Sequence, residues 1–301
     1  MNWYKGNTHC HTTRSDGDSS LEHVVEWYAK RKYDWLVVTD HWRGLPARTA
    51  AELSDIFGIL VIPGNEISGS AHVVGVGISE NCPALDEYEH EPQFDALKRG
   101  VDWITAHNGL PILAHPNWTY MWNSKDALAL NNVAHFEVHN GSTDCNTFAA
   151  GGKPGTDDIW NEILNAGKLF YGVGSDDSHV HSLDGLCPEH YNATGATAWT
   201  LTQSESLSEA SVLNSLKTGR FVASNGPRLS DFGIKNGQYY VDINEPYEHF
   251  HYTTTFFGSQ GVLAEIHGLN PRYQITGNEQ WIRARCFCTS GRYLWTQPIF
   301  I

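Results

Sequence analysis

His9-Cys10-His11 sets two imidazoles at i and i+2, a spacing that in extended backbone turns both side chains to one side. Asp177 and His179 repeat the spacing late in the chain. Four more residues of the same types, Asp16, His41, Glu66 and His115, stand at the ends of short apolar runs or in the loop just after. Imidazole is the commonest metal ligand, and imidazoles mixed with carboxylates suit zinc, manganese or iron better than calcium or magnesium. Glu66 follows the wholly apolar run Ile59–Ile62, where a carboxylate without a positive partner is costly. Alone, each motif has an ordinary reading: an HxH pair is often a partly exposed strand, and a lone His before Pro is weaker still. Eight such residues brought to one place are a metal site. The chemistry such a site performs is hydrolysis by a metal-activated water.

The elements that must bring them together alternate between helix and strand. Ser19-Ser20-Leu21-Glu22 reads as a capping box, and Leu21, Val24, Val25, Tyr28 and Ala29 form one helical face. Trp35–Val38 is an apolar strand running into Thr39-Asp40-His41, and Ile59–Ile62 runs into Pro63-Gly64-Asn65-Glu66. A helix carrying Phe94, Leu97, Val101 and Ile104 closes at Asn108-Gly109, and Pro111–Ala114 leads to His115-Pro116. Phe136–His139 leads to Asn140-Gly141, a helix with Ile159, Trp160, Ile163 and Leu164 stops near Gly167, and Leu169–Val173 ends in Gly174-Ser175-Asp176-Asp177. Ser206–Glu209 opens a last helix ahead of a strand from Phe221. Repeated β-α units predict a parallel α/β sheet closed as a barrel, its irregular spacing arguing against regular eightfold symmetry. In such barrels the active site lies at the C-terminal ends of the strands, where these residues fall. After about Pro227 the chain turns aromatic and β-branched, so residues 1–227 read as the barrel and 228–301 as a small β-rich region packed on it.

The balance of charge narrows the partners. With 20 Lys and Arg against 34 Asp and Glu the net charge is −14, and no basic run offers a track for phosphates, which argues against a nucleic-acid polymer. No segment is apolar enough to span a bilayer, and the start lacks the apolar core of a signal peptide, so the expected location is cytoplasmic. The six cysteines, Cys10, Cys82, Cys145, Cys187, Cys286 and Cys288, form no CxxC pair and read as reduced thiols. There is no GxSxG elbow, phosphate-binding P-loop or dinucleotide fingerprint.

In order, His9-Cys10-His11, Ser15-Asp16-Gly17, Thr39-Asp40-His41, Glu66, Ala114-His115-Pro116 and Asp177-Ser178-His179 resemble the polymerase and histidinol phosphatase (PHP) superfamily over roughly residues 5–225. Leu216–Arg220, Ser224-Asn225-Gly226-Pro227 and the stretch from Trp281 to Ile299 are similar to its carbaryl-hydrolase-like (CehA/McbA) branch. The resemblance implies a distorted (β/α)7 TIM-like barrel, the PHP fold, with two or three divalent metal ions, Zn, Mn or Fe. It assigns one metal to His9, His11, Glu66 and Asp177. A second shares Glu66 as a bridge and takes His115, and a third uses Asp16, His41 and His179. The expected activity is hydrolysis of small anionic phosphomonoesters or phosphodiesters by a metal-bridging hydroxide, with Glu66 and Asp177 in the catalytic set. The alternatives are carbamate, ester or amide hydrolysis at the same site, and a non-catalytic structural or regulatory PHP module.

Several positions stay open. His139, i+2 from Glu137, is a candidate to complete the second metal, although this branch need not carry a histidine there. Strand alternation with His179 favours Asp177 over Asp176, and Asp40 is expected to support a ligand rather than be one. His72 is either a structural histidine or, as the resemblance implies, a substrate-side hydrogen-bonding group or acid. Arg43 and Arg14 are candidate contacts for an anionic substrate, with plain surface arginines as the alternative. Trp42, Trp118 and Trp122 are candidate pocket walls, and Cys10 is expected to face away from its flanking ligands.

Overall fold

A computed structural model describes residues 1–84, 90–182, 195–245 and 249–301; Cys187 lies outside the described residues. Strand β1 (Asn2–Asn7) leads through helix α1 (Leu21–Lys30) to β2 (Trp35–Val38), and helix α2 (Ala47–Phe57) leads to β3 (Leu60–Ile67). Ser20 caps α1 by accepting from the His23 amide, and the helix turns Val24, Val25 and Tyr28 inward. Next come β4 (Val73–Val76), α3 (Gln93–Ala106), β5 (Leu110–Leu113), α4 (Ser124–Ala129), β6 (His135–Asn140), α5 (Thr156–Asn165) and β7 (Tyr171–Ser175). These seven strands lie side by side in chain order.

The pairings β1–β2, β2–β3, β5–β6 and β6–β7 are parallel. Strand β4 runs antiparallel to both β3 and β5, which corrects the expectation of uniform parallel β-α units. The cause is chain length: five residues separate Ile67 from Val73, enough for a hairpin turn but not for the dozen or more of a parallel crossover.

The sheet is α/β and mostly parallel in this part, and among the described residues no continuous ladder joins β7 back to β1. Beyond the strand ends one parallel bridge, Cys10 to Ser178, joins the two extensions through His11 N–H to Ser178 O and Asp177 N–H to His9 O, both 2.9 Å.

On the other flank of β1, β8 (Trp199–Ser204) and β9 (Phe221–Ser224) continue the sheet antiparallel, separated by α6 (Glu209–Lys217). The C-terminal strands are β10 (Leu229–Lys235), β11 (Gln238–Ile243), β12 (Tyr252–Gly258), β13 (Gly261–His267), β14 (Arg272–Gln274), β15 (Trp281–Cys288), β16 (Arg292–Thr296) and β17 (Ile299–Phe300). Strand β16 pairs with β9, so β12, β13, β15 and β16 extend the main sheet, whereas β10, β11 and β14 form a separate three-stranded one.

Period-two alternation sorts the core. Trp35 and Val37 of β2 face inward with Ile62, Val74, Ile112, Val173 and Phe221, contributed by strands around the curled sheet, while Leu36 and Val38 face the helix layer. Gly6 makes room for the Trp35 indole, whose ring atoms stand 1.9 Å from where a Cβ would lie. This plug lies beneath the strand ends that carry the functional residues. No helix among the described residues is long and apolar enough to cross a membrane. Five of the six cysteines are described, and all five are free and buried.

Candidate metal centre and active site

The Cys10–Ser178 bridge positions four of the expected ligands: His9 and His11 flank one side of it, Asp177 and His179 the other. Three donor atoms then converge, those of His9, His11 and Glu66, with Asp177 Oδ1 beside both imidazoles. His9 Nε2 lies 3.1 Å from Glu66 Oε2 and 3.3 Å from Asp177 Oδ1; His11 Nε2 lies 3.3 and 3.2 Å from the same oxygens and 3.1 Å from His9 Nε2. Donors at about 2.1 Å from one ion stand about 3.4 Å apart in tetrahedral and about 3.0 Å apart in octahedral coordination. The spacing is therefore that of a metal shell. Glu66 Oε2 gives a second sign: it is buried and accepts no hydrogen bond of good geometry among the described residues, although three imidazole nitrogens crowd it. A cation bound there would satisfy that oxygen.

Two more groups adjoin this one. Asp16 Oδ2 lies 3.4 Å from both His41 Nε2 and His179 Nε2, with His11 Nδ1 3.5 Å from Asp16 Oδ1, and these four residues make one candidate cation group. Gly17 lets the loop reach this position, since a Cβ there would lie 2.7 Å from the His11 carbonyl. On the other side Glu66 Oε1 faces His72 Nδ1 at 2.9 Å and His115 Nε2 at 3.4 Å, and Glu66, His72 and His115 form another group. Glu66 and His11 are each shared between two groups, so the whole reads as one connected cluster.

The surrounding hydrogen bonds orient these donors. Glu137 Oε1 accepts from His9 Nδ1 at 2.7 Å, fixing the tautomer that leaves Nε2 free to coordinate. Glu137 also accepts from the Ser175 hydroxyl and the His115 amide, and Asn140 Nδ2 donates to both Glu137 and Asp177. Ser68 Oγ lies 2.5 Å from His41 Nδ1. Asp40 accepts from the Thr12 amide and hydroxyl and the Ser15 hydroxyl, holding the loop between His11 and Asp16 as a supporting residue. Asp177 adopts a left-handed φ of 49°, a conformation Asp tolerates better than most residues.

Burial and charge oppose each other here. Burial alone disfavours a proton on His9, but the carboxylates of Asp177, Glu66 and Glu137 outweigh it and raise its pKa well above the ordinary value. Glu66 is driven well below the usual range: burial works against its charge, and His9, His41 and His72 more than offset it. His41 is raised to about 10 against burial, by Glu66 and Asp16. His11 is lowered to about 3 by burial, with the neighbouring His179 and His41 adding to the effect. Metal binding at such a cluster displaces the protons that the carboxylates hold on the imidazoles.

The cluster opens into a cavity of about 260 Å³ lined by Asp16, His41, Glu66, His72, His115, Asp177 and His179 together with Trp118, Ser142, Asp144 and Cys145. Some expected residues lie elsewhere. His139 turns away: its Nδ1 meets the Thr147 hydroxyl, its Nε2 accepts from Asn225, and its ring stacks on Trp295. Arg14 pairs with Asp40 and donates to the Gly44 carbonyl, and neither it nor the exposed Arg43 lines the cavity. Of the three tryptophans only Trp118 is a wall; Trp122 is in the core, bonded to the Ala114 carbonyl, and Trp42 packs near it. Asp176 is a structural acceptor for Tyr28, Tyr33 and the amides of residues 196–198. Cys10 faces the core and donates to the Val37 carbonyl. Glu137, Asn140, Trp118 and Asp144 form the part of the site that ligand motifs do not reveal; for Glu137 the signal is a carboxylate flanked by Phe136 and Val138 in a fully buried strand.

No family model matches the chain. A segment of 84 residues is 34% identical to a phosphoribosyl 1,2-cyclic phosphate 1,2-diphosphodiesterase of Eggerthella lenta, covering 26% of this chain and 32% of that protein. The chain thus spans about a third of that relative's length. Among solved structures, a two-domain protein of Bacteroides vulgatus containing a predicted PHP-like metal-dependent phosphoesterase superposes with a TM-score of 0.55 at 13% identity, over 100% of this chain and 95% of that one. An amidohydrolase from Chromobacterium violaceum with bound sulfate and no metal gives a TM-score of 0.42 at 18% identity, over 63% of this chain and 91% of that one.

Proposed function

We infer that this chain, PHP-like in its fold, is a metal-dependent hydrolase of small phosphoric esters. The observation that carries the reading is the sharing of Glu66 and His11 among three groups of imidazoles and carboxylates at the floor of one cavity. His9, His11, Glu66 and Asp177 would hold one ion, Glu66 with His115 a second, and Asp16, His41 and His179 a third. Zn, Mn and Fe all fit this donor set. Bound divalent ions supply a nucleophilic water of lowered pKa and positive charge for the phosphoryl oxygens.

The protein's own groups do the rest. Glu137 keeps His9 in its coordinating tautomer, and Asn140 ties Glu137 to Asp177. His72, braced by Glu66 and facing the cavity, donates a proton to the leaving oxygen. Trp118 closes the wall beside His72 and His115, with ring centroids 5.3 and 5.2 Å away. The Eggerthella relative's name points to a phosphodiester, and the connected cluster suits diesters and monoesters alike. Likeness to the carbaryl-hydrolase-like branch rests on Leu216–Arg220, Ser224–Pro227 and the stretch from Trp281 to Ile299, and Asn225 of the second joins His139 to the backbone of Tyr293.

Among the described residues no Lys or Arg lines the cavity, so phosphoryl charge falls wholly on the ions and histidines. That keeps a neutral aryl carbamate in the test. Protein purified without chelator is expected to hold at least two metal equivalents and to hydrolyse an aryl phosphomonoester or phosphodiester. Chelation should abolish the activity and Mn or Zn restore it. Turnover of the carbamate alone, or fewer than two equivalents with no restorable activity, overturns the reading.

The two debated histidines should separate. His72→Ala is expected to retain metal and to lose about 100-fold or more of kcat, the scale of a general acid. His139→Ala should retain both metal and most activity, because its nitrogens serve Thr147 and Asn225. Elemental analysis beside kinetics decides it: loss of an ion in His72→Ala makes that residue a ligand, and loss in His139→Ala returns it to the metal shell.

A further inference from the structure

The turn Ser224-Asn225-Gly226-Pro227 lies outside the metal centre, yet its bonds lead back to the cavity. Every polar group of Asn225 is engaged. Its backbone N–H donates to the Tyr293 carbonyl at 3.1 Å, its carbonyl accepts from Arg292 Nη1 at 3.2 Å, and its Oδ1 accepts from the Tyr293 amide at 2.6 Å. That last bond fixes the side-chain amide, so the Nδ2 lying 3.0 Å from His139 Nε2 is the donor. His139 then leaves Nε2 bare and carries its proton on Nδ1, which donates to the Thr147 hydroxyl at 3.1 Å. Burial agrees, lowering the pKa of this histidine to about 4 and keeping the ring neutral. Glycine is required next in the turn, because a Cβ on Gly226 would lie 2.4 Å from Arg292 Cδ.

Thr147 belongs to the segment between β6 and α5, the same segment that contributes Ser142, Asp144 and Cys145 to the cavity lining. A second tie reaches the next residue. The exposed Phe148 ring lies 5.0 Å, centroid to centroid, from Tyr293 of β16. Tyr293 is held in turn by the two backbone bonds from Asn225 and by the rings of Phe287 and Trp295, at 5.2 and 5.6 Å. Both ties therefore run through Asn225, one by way of His139 and one by way of Tyr293. A separate pair of bonds joins the segment to Asn117, two residues past His115: its Nδ2 donates to the Asn146 and Pro154 carbonyls, both at 2.9 Å. The loop is thus pinned to a ligand-bearing strand end and to the C-terminal strands at once.

Resting on the phosphoesterase reading, we infer that Asn225 is a positioning residue for substrate: through His139–Thr147 and Tyr293–Phe148 it seats the loop that lines the cavity, which makes the C-terminal strands part of the substrate site. His139→Ala breaks only the first tie, in keeping with the activity it should retain.

The test measures kcat, KM and metal content with p-nitrophenyl phosphate on metal-loaded wild type, Asn225→Ala, Asn225→Asp and Phe148→Ala, beside amide hydrogen exchange of residues 142–149. Asn225→Ala is expected to raise KM about tenfold, the scale of one or two net hydrogen bonds, with kcat within about twofold, full metal and faster exchange in the loop. Asn225→Asp should recover most of the loss. Its carboxylate still accepts from the Tyr293 amide, and it accepts from His139 Nε2–H once the ring takes the other tautomer and the Thr147 hydroxyl donates to Nδ1. Phe148→Ala alters an exposed ring without threatening the fold, and a smaller rise in KM is expected of it. Unchanged KM in both alanine variants, or a fall in kcat or metal content that Asn225→Asp does not reverse, makes the turn a structural brace and overturns the proposal. Faster loop exchange with no change in KM overturns it as well. Wild type that hydrolyses no phosphoric ester defeats the functional reading instead, whereas loop exchange unmoved by Asn225→Ala defeats the positioning role on its own.

Discussion

Glu66→Gln is expected to lose bound metal and turnover together. Its two oxygens face five imidazoles: Oε2 those of His9, His11 and His41, and Oε1 those of His72 and His115, all at 2.9–3.4 Å. Glutamine keeps the volume, but its amide brings an N–H into a space shaped for a shared anion and removes the charge that offsets two cations. The effect should exceed the roughly 10–100-fold that loss of a residue merely orienting a ligand costs in metal affinity or activity. Glu137→Gln supplies that smaller reference, because Glu137 reaches the site through His9 Nδ1 rather than through the donor cluster itself. Elemental analysis with kcat on the same preparations checks both. Wild-type metal content in Glu66→Gln would remove Glu66 from the bridging position and dismantle the shared cluster.

The candidate ligands could be picked out because most of them stand at strand ends or in the loop just after, where chemistry collects in α/β barrels. His139 shows where that reasoning breaks. Taking Glu137 and His139 as partners two residues apart assumes unbroken alternation. The β6–β7 register slips between them instead: Glu137 pairs with Val173 and His139 with the very next residue, Gly174. A bulge of this kind inserts an extra residue and re-aims the side chains beyond it, so Glu137 meets the metal cluster while His139 is carried to Trp295. Alternation served better at His9/His11, where the Cys10–Ser178 bridge holds the extension in register, whereas Asp177 and His179 are brought to the cluster with Asp177 in a left-handed turn.

The reversal of β4 was hidden for another reason. A strand's direction depends on the connection before it, and the short link from Ile67 to Val73 carries more information than the strand's apolar composition. Asp144 carries no signal in the sequence and Trp118 only that of its place after a ligand strand, because 26 positions separate them and the bond joining them forms only once the fold exists. Ligand motifs are local patterns at strand ends; a substrate wall assembled from loops is not.

The C-terminal strands make the other large prediction, one of stability rather than catalysis. Arg283 of β15 is fully buried and lies over the rings of Trp160 and Phe257, at 4.5 and 4.6 Å. It donates twice to Asn161 Oδ1 and pairs with Asp157 Oδ1 at 2.8 Å, so a strand of the C-terminal region is fastened to α5 beneath the sheet. Arg283→Ala removes a side chain packed between two aromatics and leaves Asn161 short of a donor in a buried place. Asp157 keeps Arg285 Nη1 at 2.6 Å and the Trp295 indole, which limits its exposure as an unpaired charge. Breaking one side of a buried pair costs about 3–5 kcal/mol, and the surviving Arg285 contact places this case at about the lower value. For a chain of this size that is a fall in Tm on the order of 10 °C. Because Arg283 lies away from the donor cluster, the variant should still bind its full metal complement at low temperature. A change in Tm below about 2 °C would mean that packing of the β-rich region, and not this ion pair, carries the attachment; loss of metal without loss of Tm would mean that β15 reaches the site by a route the contacts do not contain.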